Sequence, residues 1–126
     1  MTRRQWPLYV LAVFLFVWEP MRVANEITQS LPTMGMRGAA AGVELVAHAL
    51  VAAIAVAAAW ALWNGADHGP FLGTLAILLS AATSVQTLYW SGLPQQTPPG
   101  APLPLAVLAA AHAAGWVGYL QFRGRA

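Results

Sequence analysis

Six ionisable residues sit within or beside long apolar runs: Glu19, Arg22, Glu26, Glu44, His48 and His112. A charge at bilayer depth costs about 3 kcal/mol on insertion scales, so each such residue needs a partner or a task. Carboxylates set beside imidazoles are equipped to pass protons to and from a substrate near neutral pH. Aromatic rings lie close by in the chain. Trp18 adjoins Glu19, and Trp116 and Tyr119 continue the helical face of His112. Such rings stabilise a developing cation, which suits protonation of an alkene or epoxide in a lipophilic molecule.

The spacing groups these residues into stripes. Glu19, Arg22 and Glu26 fall at i, i+3 and i+7, one face of a helix. Arg37, Glu44 and His48 share a second face, and Ser80, Thr83 or Ser84, and Thr87 a third. Depth sharpens the pattern. With Ser30, Gly38 and Leu103 as the outer edge, Glu19 lies about 16 Å in, His48 about 15 Å and His112 about 13 Å. Each falls near the midplane of a hydrocarbon core about 30 Å thick. Arg22 and Glu44 both fall about 10 Å in and are expected to form an ion pair. Glu26 and Arg37, nearer the surface, read as interfacial charges that snorkel. Lipid cannot satisfy polar stripes, so they are expected to face one another around a cavity open to the non-cytoplasmic side.

The elements that must carry these stripes follow from composition. The chain has 126 residues, 59% hydrophobic and 8% charged, with no cysteine. Soluble domains carry about 25% charged residues, and disorder needs still more charge and less apolar content, so both classes are excluded. Disulfide scaffolds, cysteine-ligated zinc, iron–sulfur clusters and thiol catalysis are excluded with them. The expected fold is all-α: an integral membrane four-helix bundle in a single domain, 1–126. Its spans are read at about 6–29, 38–63, 71–90 and 105–122. Pro20 should disturb the first span one turn earlier. The segments 30–37, 64–70 and 91–104 read as loops from their Pro, Gly and Asn content. Arg3, Arg4, Arg123 and Arg125 mark both termini as cytoplasmic under the positive-inside rule. The net charge of +2, without a lysine, gives no nucleic-acid signature.

The leading expectation is a multi-pass protein of the cell inner (plasma) membrane, possessing an acid–base site of isomerase or cyclase type. Its substrate would be lipophilic, isoprenoid-like or sterol-like. Glu19, His48 and His112 are the expected catalytic groups; Arg22, Glu44, Thr83, Thr87, Trp116 and Tyr119 would bind substrate. No cofactor is expected on this reading. One alternative is a haem b electron-transfer subunit with His48 and His112 as axial ligands. Another is a proton-coupled small-molecule transporter or an accessory membrane subunit. Expected partners are membrane lipid or a lipophilic small molecule, with a second copy or a partner membrane subunit as further options.

Four spans with a Glu early in span two resemble DoxX-like proteins. A four-span bundle with an intramembrane Glu/His cavity is similar, in residue types, to the sterol-isomerase-like EXPERA group. Four short spans with a span-one Glu also resemble the small multidrug transporters. The EXPERA resemblance implies sterol-type isomerisation, and the last implies proton-coupled export.

Overall fold

The computed structural model describes residues 6–93 and 102–122, and all of its regular structure is helical. Arg3, Arg4, Arg123, Arg125 and most of the proline-rich stretch, residues 94–101, lie outside the described residues. Helix α1 covers Trp6–Ser30, α2 Met34–Arg37, α3 Ala39–Trp63, α4 Gly69–Tyr89 and α5 Pro102–Phe122. Four of them, α1, α3, α4 and α5, are long and apolar enough to cross a membrane.

The local chemistry explains where the helices begin and end. Pro20 lies inside α1, which nevertheless continues to Ser30. Its missing N–H leaves the Phe16 carbonyl without the usual helical donor. The segment 30–37, expected as a loop, is instead a single 3-10 turn over Leu31–Thr33 followed by α2. Pro32 fits the first turn of that element, where its missing donor is not needed. Gly38 then breaks the chain with φ 87°, a conformation that favours glycine, and α3 starts afresh. α3 ends in a Schellman motif. The Ala66 N–H reaches the Ala61 carbonyl at 2.9 Å, and Gly65, at φ 66°, bonds Leu62 at 3.3 Å. α4 and α5 both begin earlier than the apolar runs suggest, because Pro70 and Pro102 are tolerated in a first helical turn.

Successive long helices pack together, α1 on α3, α3 on α4 and α4 on α5. Each pair is antiparallel. Tyr9 near the start of α1 meets Trp63 at the end of α3, with ring centroids 4.7 Å apart. Glu44 near the start of α3 meets Gln86 near the end of α4. Thr74 near the start of α4 meets Gln121 at the end of α5. Trp6 and Phe122 therefore lie at the same end of the molecule.

The interior has two zones. Toward the Trp6 end it is apolar, built from Leu11 and Leu15 of α1, Ala55 and Ala58 of α3, and Ala76 and Ile77 of α4. The alanines carry almost no side chain into the contact, so the helices approach closely. Toward the Ser30 end the interior is polar. The outside is largely apolar: Phe16, Met21, Val43, Leu50, Trp60 and Leu108 are all exposed. In water, so much exposed apolar surface would drive association; against acyl chains it is ordinary.

Candidate functional site

The polar zone lies where α1, α3 and α4 meet. Its first unit joins Glu19 and Arg22. Glu19 is fully buried. Its Oε1 accepts a short hydrogen bond from the Ser80 hydroxyl, and its Oε2 stands 3.0 Å from Arg22 Nη2. That second contact is an ion pair without hydrogen-bond alignment, and Nη2 also donates to Thr83 Oγ1 at 2.7 Å. Nη1 donates to Ser84 Oγ at 3.0 Å. Arg22 Nε is buried and has no hydrogen-bond partner among the described residues. The guanidinium thus ties α1 to α4 through two hydroxyls while neutralising the carboxylate beside it.

The second unit centres on His48, which is 1% exposed. Its Nδ1 lies 2.7 Å from Glu26 Oε2 and its Nε2 lies 2.9 Å from Gln86 Oε1. The orientation of the Gln86 amide is fixed by its other partners. Its Nε2 donates to Glu44 Oε2 at 2.8 Å and to the Trp90 carbonyl at 2.7 Å. Turning the amide over would set an oxygen against both acceptors. Gln86 Oε1 therefore faces His48, and His48 Nε2 must carry a hydrogen. One further proton is shared between Nδ1 and the Glu26 carboxylate. The pair is either imidazolium with carboxylate or imidazole with carboxylic acid, and both forms have zero net charge.

Glu44 closes the second unit toward the chain after α4. Its carboxylate accepts from the Ser91 hydroxyl and, at 2.9 Å, from the Gly92 N–H. Arg37 Nη1 holds the Gly92 carbonyl at 3.0 Å, and its Nε bonds Thr33 Oγ1 at 2.7 Å. Gly92 lies so close to α3 that a Cβ there would stand 3.3 Å from Ala41 Cβ. Beside this strap a groove of about 700 Å³ opens between α3 and α4. Glu44, His48, Thr83, Gln86 and Trp90 line it among apolar residues.

The structure redistributes the partners expected from sequence. Arg22 pairs with Glu19 on its own helix, not with Glu44, because Glu26 of α1 is level with His48 of α3, which sets Arg22 about two helical turns from Glu44. His48 pairs with Glu26, which sequence reasoning assigned to the interface, and not with Glu19. The signal for Glu26 was present in its shared face with Glu19 and Arg22. Thr83 joins the cluster through Arg22, whereas the Thr87 hydroxyl is spent on the Thr83 and Ser84 carbonyls of its own helix.

His112 stands apart. It is exposed on α5, its Nε2 accepts from Trp116 Nε1 at 3.1 Å, and its ring lies 5.1 Å from that of Phe14. Tyr119 packs edge-on against Trp116. Haem ligation by His48 and His112 would require His48 to release Glu26 or Gln86. No family model, curated protein or solved structure matches the chain.

Proposed function

We propose that the chain crosses the cell membrane four times, with both ends cytoplasmic, and performs acid–base chemistry on a lipophilic molecule in the groove between α3 and α4. The observation that carries this reading is the buried His48 with its 2.7 Å contact to Glu26, set beside an open, largely apolar groove. A proton held between two buried groups is costly to maintain for packing alone, since two or three hydroxyls join helices as well. Such sites mark proton-handling centres on electrostatic grounds.

In this reading Glu44, which lines the groove, exchanges the proton with the substrate. His48 supports it from 3.9 Å, the distance between Nε2 and Glu44 Oε2, and Glu26 holds the far side of the imidazole. The catalytic role expected of Glu19 passes to Glu44, since Glu19 is fully buried against Ser80 and Arg22. The Glu44 carboxylate removes an allylic proton from the lipid and returns it to the far carbon of the double bond, which moves the double bond with no net change in atoms. The substrate class is an isoprenoid-like or sterol-like lipid.

Isotope exchange tests the reading whichever lipid is the substrate. Membranes containing the protein are incubated in D2O and their lipids analysed by mass spectrometry. A lipid that gains carbon-bound deuterium, and ceases to gain it with Glu44→Gln and with His48→Gln, supports the reading. Exchange that is absent, or unchanged by both substitutions, overturns it.

A further inference from the structure

A second cavity, of about 250 Å³, lies between α1, α4 and α5, away from Glu44 and His48. Phe14 and Trp18 supply a stacked aromatic wall, with centroids 6.0 Å apart. Ser80, Ser84 and His112 bring the polar atoms, and Leu108 is among the apolar residues that complete the lining.

Hydrogen-bond accounting fixes what these polar groups offer. Trp116 N–H can only donate, so His112 Nε2 must accept and carries no hydrogen. In the neutral ring, the hydrogen then resides on Nδ1, which has no hydrogen-bond partner among the described residues. The Ser80 hydrogen is committed to Glu19. Ser84 Oγ accepts from the positively charged Arg22, and this polarises its own O–H as a donor. The unspent hydrogens of the cavity are therefore those of His112 and Ser84. An unmet N–H among acyl chains is costly, so a ligand that accepts it is favoured over lipid tails.

We infer that this cavity binds a planar, carbonyl-bearing lipophile of the quinone or ring-ketone class. The ring lies against Phe14 and Trp18, and its carbonyl oxygen accepts from both His112 Nδ1–H and Ser84 O–H. The site is independent of the α3/α4 groove, whose titrating groups do not line it. Arg22 joins them, bonding Ser84 on this side and Thr83 on the other.

The probe is 2-methyl-1,4-naphthoquinone, compared with 2-methylnaphthalene, which has a similar shape without the carbonyls. Binding to the detergent-purified full chain is measured by equilibrium dialysis against protein-free micelles. The expected result is tighter binding of the quinone by about fivefold, the size of one net hydrogen bond. That preference should fall in His112→Phe and in Ser84→Ala and persist in His48→Gln, so it is read separately from the α3/α4 chemistry. Helix content and thermal midpoint identify any variant that fails to fold, and the remaining one then gives the reading. Equal binding of the two probes, or a preference unchanged in a folded His112→Phe or Ser84→Ala protein, overturns the inference.

Discussion

His48 Nδ1 and Glu26 Oε2 lie 2.7 Å apart across α1 and α3, although 22 positions separate them in the chain. The contact joins a fully enclosed imidazole to a nearly enclosed carboxylate. Removing one member strands the other in a medium that cannot solvate it.

His48→Ala should therefore lower stability by about 3–5 kcal/mol, the cost of breaking a buried pair. Glu26→Gln should cost less, because the new amide can donate to Nδ1 while His48 Nε2–H keeps Gln86. Unfolding of the detergent-solubilised protein checks both. Equal and small losses would mean that the contact is structurally idle.

The stripes on α1 and α4 were legible because polar residues recur there at helical spacing within apolar sequence. Partner choice was not. Depth along a span ranks residues by layer but leaves rotation about the helix open. Counting inward from Ser30 and Gly38 sets Arg22 and Glu44 level, but the antiparallel register brings Glu26 to His48 and leaves Arg22 about two helical turns from Glu44. Arg22 meets Glu19, Thr83 and Ser84, and Glu44 meets Gln86, Ser91 and Gly92. His112 shares with Trp116 and Tyr119 the face that α5 turns to its neighbours, as their spacing indicates, but it lines the α1/α4/α5 cavity and not the groove beside Glu44 and His48. The segment after α4 read only as a proline-rich loop. Its first residues, Ser91 and Gly92, hold Glu44 through a hydroxyl and a backbone amide, contacts that no spacing rule anticipates.

Arg22 should prove strongly coupled to Glu19. Arg22→Ala leaves a fully buried carboxylate beside one hydroxyl, an expected loss of about 3–5 kcal/mol. Adding Glu19→Gln should recover a substantial part of it. A double-mutant cycle measures the coupling, and strictly additive losses would show that the 3.0 Å ion pair carries no stability.

Gly92→Val should disturb the strap beside Glu44. The added side chain meets Ala41, so the strap must lift, weakening the bonds from Gly92 to Glu44 and Arg37. Overpacking of this kind costs about 1–3 kcal/mol. Labelling of Glu44 by a hydrophobic carbodiimide, read by peptide mass spectrometry, should become faster than in the parent protein. Unchanged labelling and stability would show that the close approach to α3 is dispensable.

Antiparallel pairing of the four long helices brings Trp6 and Phe122 to one end. Fluorescent-protein fusions to either terminus should both fluoresce in the cytoplasm of intact cells. A periplasmic reporter should be active only when inserted near Gly35 or in the segment 94–101. Termini that report from opposite sides would contradict the four-crossing topology, and two outside termini would contradict its orientation.

The shared proton is most directly read by 15N NMR of histidine-labelled protein in bilayers. One histidine should have an Nε2 that bears a hydrogen and an Nδ1 resonance that moves in Glu26→Gln; both signals should vanish in His48→Gln. A His48 with an unprotonated Nε2, or an Nδ1 indifferent to Glu26, would contradict the shared proton.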